Sequence, residues 1–208
     1  MHERRPLERR KVGVTRHQST LLTWDNELVS AQPLDATPPL RHVIVVGGTV
    51  AEWASLADAQ WTDRLTELGK VADHVGARWL VLRPFDGPTA NEVPVQVRTQ
   101  TVGCCIVEAQ PDGNGRERFV RAAANLHASG QAITETAIDA LLNLPADVDP
   151  DLVVIVGASQ RTPPSLVWEL AYSELVYVST SWQHFGAAHL DEAIASYANR
   201  HRRFGGID

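Results

Sequence analysis

RHVIVVG (41–47), followed two residues later by VAEWASLADAQWTDRLTELGKVADHVGA (50–77), is the stretch from which the fold can be read. The first segment is short, apolar and β-branched, and it ends in glycine, as strands buried on both faces of a parallel sheet do. The second places Trp53, Leu56, Trp61, Leu65, Leu68, Val71 and Val75 mostly three or four residues apart. That spacing predicts one apolar stripe on a helix, interrupted near its first turn. Working outward, RWLVLRPF (78–85), VGCCIVEA (102–109) and DLVVIVG (151–157) predict three further strands. RERFVRAAANLHA (116–128), AITETAIDALLNL (132–144) and HLDEAIASYANRHRR (189–203) predict helices, and VYVS (176–179) a short last strand. In PSLVWELAYSEL (164–175), Trp168 and Tyr172 stand four apart on one apolar face, which assigns them to the core or to a dimer interface. Strands alternating with helices give an α/β fold with a parallel central sheet covered on both faces.

Hydrophobic residues make up 44% of the 208 and charged residues 21%, enough for one domain with a real core. That domain is expected from residue 41 to 208, preceded by an arm, residues 1–40, that is basic at first and proline-marked at its end. The arm reads as a loosely docked tail, or as a basic segment making peripheral contact with anionic lipid or a diphosphate. The net charge of −6, with no basic cluster outside the termini, argues against nucleic acid as a partner. Cys104 and Cys105 are adjacent, so an ordinary disulfide between them is disfavoured by their opposite directions on a strand, and both are expected as buried thiols. No apolar run approaches the ~20 residues of a membrane span. A cytoplasmic location is the expectation.

Asp149-Pro150-Asp151-Leu152, Trp168 to Leu175 and Arg202-Arg203-Phe204-Gly205-Gly206 resemble, in order and spacing, the end of the cis-prenyltransferases, the undecaprenyl diphosphate synthase family. His42-Val43 and Trp53-Ala54 are similar to that family's first strand and the start of its first helix. The resemblance implies condensation of isopentenyl diphosphate onto an allylic diphosphate with Mg²⁺. Such chemistry requires a carboxylate at the end of the first strand to hold the metal, with arginines and helix N-termini for the second diphosphate.

The departures from the family are as informative as the matches. The family's Asp-Gly-Asn-Gly-Arg after the first strand reads Gly48-Thr49-Val50-Ala51-Glu52 here, so the metal-binding aspartate is Gly48. Its Arg-Thr-Gly-Gly-Glu-x-Arg-x-Ser loop reads Ile155 to Pro163 and keeps only Arg161. Arg83-Pro84-Phe85-Asp86-Gly87 replaces the aromatic segment after the second strand, and residues 87–103 are too few for the long helix of the product tunnel. Asp112-Gly113-Asn114-Gly115-Arg116 does contain the signature, but it follows the third strand and leads into a helix, which makes Asp112 a turn residue. Asp86 reads as a solvated loop acid, and the histidines show no metal-ligand spacing.

A missing aspartate, a Pro-Asp-Gly turn before Val120-Arg121-Ala122-Ala123 and a retained Arg-x-Gly together resemble the catalytically empty subunit of heterodimeric members, of the Nogo-B receptor type. By that resemblance, Arg203 and Gly205 would reach across a dimer to the diphosphate site of a catalytic homologue, where isopentenyl and allylic diphosphates bind and Mg²⁺ is held. RHRRFGG at a helix end also complements the helix dipole and stops the helix. Arg161 is a residual phosphate ligand or a surface charge. Gly47, Gly48 and Thr49 could cradle an anion with backbone N–H groups, and Glu174 matches a glutamate that helps hold Mg²⁺ in catalytic members but reads as a structural acceptor without its aspartate. The expectation is a non-catalytic accessory subunit with no metal of its own. A stand-alone homodimeric isoprenoid-diphosphate enzyme with a remodelled site, or a prenyl-diphosphate binding protein, are the alternatives.

Overall fold

The computed structural model describes residues 39–86, 95–157, 161–171 and 173–204, the last four by backbone alone. Almost all of the expected arm, Gly205, Tyr172 and the Arg203 side chain lie outside the described residues. The chain runs β1 (His42–Val46), α1 (Val50–Ala54), α2 (Asp58–His74), β2 (Trp79–Arg83), β3 (Arg98–Val102) and β4 (Cys105–Ala109). It continues α3 (Gly115–Ala128), α4 (Glu135–Leu142), β5 (Leu152–Val156), β6 (Glu174–Val178) and α5 (Ala187–Phe204). The sheet order is β3-β4-β2-β1-β5-β6, parallel throughout except for the antiparallel pair β3–β4.

Strand alternation divides the core in two. Val43, Val45, Leu80, Leu82 and Val154 point to the face covered by α1, α2 and α5, among Trp53, Trp61, Leu68, Leu190 and Tyr197. Ile44, Val46, Val81, Val153 and Ile155 point to the opposite face, where they bury Leu166. The interrupted helix is real: α1 ends at Ser55, and α2 restarts after Ala57, whose N–H donates to Gln60 Oε1 at 2.8 Å. The family-like Asp149 and Asp151 have local work. Asp149 accepts from Asn143, and Asp151 Oδ2 accepts the backbone N–H of Arg41 at 2.7 Å and His42 at 3.0 Å, tying β1 to the start of β5.

Three expectations are corrected. The run 102–109 is not a single strand: it holds the last residue of β3, a turn and β4 (105–109), because RTQTV (98–102) forms β3 as a polar edge strand hairpinned to β4. Gly103 and Cys104 make its turn, so Cys104 is exposed and only Cys105 is a buried thiol, pushed up to about 12 by burial with a smaller contribution from Asp73. The segment 164–175 does not hold a helical face: it makes two 3-10 turns, Pro164–Leu166 and Glu169–Ala171, and then enters β6 at Glu174.

Candidate functional site

The turn after β1 lies where parallel α/β sheets place their ligands, at the carboxyl ends of the strands. Gly48 has φ +73°, in the left-handed region, and a Cβ there would lie 2.6 Å from the Trp182 ring. Trp182 is almost wholly buried, stacks on Trp53 at 5.5 Å, and carries the Arg64 guanidinium 4.5 Å from its ring centre. Trp53 donates its indole N–H to the Gly47 carbonyl at 2.9 Å. Thr49 caps α1, and Glu52 completes the cap by accepting the Thr49 N–H at 2.8 Å. The turn is thus committed to packing and capping. Its residues do not fit Mg²⁺: Gly48 brings no carboxylate, Glu52 is spent on the cap, and no cluster of three His, Cys, Asp or Glu suited to a metal occurs among the described residues.

Of the remaining sequence candidates, Glu174 and the start of the Arg-x-Gly motif lie away from this turn. Arg161 is exposed beyond the end of β5. Glu174 is the first residue of β6 and pairs in register with Leu152, at the amino ends of the strands, whereas Gly47 follows Val46, at the carboxyl ends. Through Val46↔Ile155↔Tyr177 the offset along the strands is four residues, or roughly 13 Å at about 3.3 Å each. Glu174 accepts from Arg200 Nη1 at 3.2 Å, and the same nitrogen donates to the Leu175 carbonyl at 2.8 Å. Arg203 follows one helical turn later on α5. Glu174 and the start of the Arg-x-Gly motif therefore share the amino edge of the sheet, away from the glycine turn.

Sequence reasoning missed the most buried polar cluster. Arg83 ends β2 fully buried, and its Nη1 donates to Glu169 Oε1. Arg118, in the first turn of α3, donates to the same oxygen at 2.7 Å and to the Leu142 carbonyl at 2.6 Å. Burial alone would raise the Glu169 carboxyl, but Arg83 and then Arg118 outweigh it and hold it down at about 2. Burial, with Arg118 adding to it, lowers Arg83 to about 10 against the pull of Glu169. The signal was an arginine closing the otherwise apolar strand 79–83, since such a charge is buried only with a partner. The partner itself, 86 residues on, left no local trace.

Comparison with known proteins bears on this arrangement. The family model described as "Putative undecaprenyl diphosphate synthase" matches residues 97–205, just over half of the chain. An isoprenyl transferase of Ralstonia nicotianae is 44% identical over 75 residues, which are 36% of this chain and 29% of that protein. Isoprenyl transferase 2 of Bradyrhizobium diazoefficiens is 38% identical over 91 residues, 44% of this chain and 36% of that one. The chain thus spans about a third of the length of the curated relatives it matches. A crystal structure described as a probable undecaprenyl diphosphate synthase from Campylobacter jejuni shares the fold, with TM-score 0.53 at 17% identity, over 80% of this chain and 99% of that one. With a mostly parallel six-stranded sheet and this match over β3 to α5, the chain belongs to the cis-prenyltransferase family, that of the undecaprenyl diphosphate synthases.

Proposed function

We propose that this chain is a non-catalytic accessory subunit of a heteromeric cis-prenyltransferase, bringing Arg203 and Gly205 to the diphosphate site of a catalytic homologue. Gly48 carries this reading: it stands at the family's metal-aspartate position, in a left-handed conformation and against the Trp182 ring. Loss of a metal-holding carboxylate removes several kcal/mol of charge stabilisation. At about 1.4 kcal/mol per factor of ten, that is roughly a thousandfold in rate. The placement of Glu174 and Arg200 at the amino edge supports the second half of the reading, since residues there are remote from this chain's own glycine turn. Isopentenyl and allylic diphosphates, with Mg²⁺, would bind in the catalytic subunit.

The test is prenyl transfer from radiolabelled isopentenyl diphosphate to farnesyl diphosphate with Mg²⁺. It compares this chain alone, a homologue that keeps Asp-Gly-Asn-Gly-Arg after its first strand alone, and the two co-expressed. The expected result is full activity only in the pair, and its loss with Arg203→Ala. Robust turnover by this chain alone would overturn the reading in favour of a stand-alone enzyme.

A further inference from the structure

The segment that leaves β5 and crosses the second face to β6 has its fully buried apolar anchor in its first half, and in its second half only the half-buried Trp168, which packs against Phe119 and the α3–α4 cluster. Leu166 is buried among Ile44, Val46, Val81, Val153 and Ile155, whereas Val167 and Leu170 are exposed. Beside Trp168, whose indole N–H donates to Asp139, what ties the second half down is Glu169, whose Oε1 accepts from both Arg83 and Arg118. Arg83 is held from three other sides. Its Nε donates to Gln110 Oε1 at 3.1 Å, its Nη2 reaches the Leu142 carbonyl at 3.4 Å, and its backbone carbonyl accepts the Gly47 N–H at 3.0 Å. One residue thus joins the glycine turn, the end of β4 and the strap formed by residues 161–171.

The geometry points to Arg83, Glu169 and Arg118 as a latch that positions the strap, the first turn of α3 and the glycine turn relative to one another, and whose release opens the strap locally while the sheet stays folded. Two arguments carry it. A buried ion cluster contributes little net stability compared with apolar residues of like volume, but its directional bonds demand one arrangement. And the larger core, on the other face, shares no side chain with the strap, so it has no reason to open with it.

Amide hydrogen exchange on the full chain tests this. Arg83→Lys keeps the charge but loses the fork that reaches Glu169, Gln110 and Leu142 together. The expected result is at least tenfold faster exchange in 161–171 and at Gly47, with Val43 to Val45 and Val153 to Ile155 within twofold of the wild type. Acceleration spread evenly over all strands, or none in the strap, overturns the latch. Should Arg83→Lys not fold, the neutral triple variant Arg83→Met, Arg118→Met, Glu169→Met takes its place and is expected to keep the sheet while its strap exchanges fast. Wild-type protection of the strap in that variant, or its failure to fold, overturns the proposal. The measurement is made on this chain alone, so inactivity of the co-expressed pair bears on the proposed function and leaves the latch untouched.

Discussion

Gly48 shows how one position sets the limits of repair. Gly48→Asp, which would restore a carboxylate at the position that the sequence resemblance aligns with the family's aspartate, puts a side chain at φ +73°, a conformation that costs roughly 1–2 kcal/mol outside glycine and somewhat less for aspartate. It also sets a Cβ 2.6 Å from Trp182, which has to move. The expected outcome is a loss of about 1–3 kcal/mol in urea unfolding and no gain of Mg²⁺-dependent prenyl transfer. Two other residues give the fold its acid sensitivity. Burial holds the His42 imidazole down at about 4 against an ordinary 6.5, with Arg83 adding to it and the Val148 carbonyl at 3.0 Å working the other way. A histidine lowered in the folded state binds fewer protons there than when unfolded, so its contribution is complete above 6.5 and is lost as the pH falls toward 4. Glu169, lowered from 4.5 to about 2, follows: its contribution is complete above 4.5 and is lost between there and 2. Stability measured from pH 7 to 3 should therefore decline in two stages, and His42→Leu should flatten the upper one.

Among the elements, those legible in the sequence were the ones whose own residues decide them. β1, β2 and β5 are apolar runs buried on both faces, and α2 and α5 each bring a continuous stripe to the sheet. β3 was illegible because its residues alternate between exposed and half-buried without an apolar run, and a strand of that composition is fixed only by pairing with β4. The strap 161–171 was illegible for a similar reason. Its course depends on Glu169 turning inward to two arginines that the sequence places far away, and helical spacing of Trp168 carried no information about that. The β3–β4 hairpin stands in direct contact with α2: a Cβ on Gly69 would lie 2.7 Å from Val107 and 2.8 Å from Val102. Gly69→Ala gains about 1 kcal/mol of helix propensity and loses more to this crowding, typically 1–3 kcal/mol. A lowered Tm is the expected net result, and a raised one would mean that helix and hairpin are not in close contact.

For the molecule as a whole, the two edges of the sheet do different things. The carboxyl edge is taken up by aromatic packing and helix capping, and the amino edge presents Glu174, Arg200 and the last turn of α5. If the amino edge serves a second subunit, Arg203→Ala should abolish activity of the co-expressed pair while leaving the Tm of this chain alone at the wild-type value. The converse result, a large drop in Tm, would make Arg203 part of this chain's own stability. α5 connects the edges. It starts just past Phe185, on the aromatic side, and is fastened to β6 at Arg200, so its 18 residues span about 27 Å. A rod fixed at both ends keeps phase as well as length. Inserting one alanine between Tyr197 and Arg200 would turn everything beyond it by about 100°, a rotation that breaks the fastening and turns the C-terminal motif away from its place without altering a single residue of it.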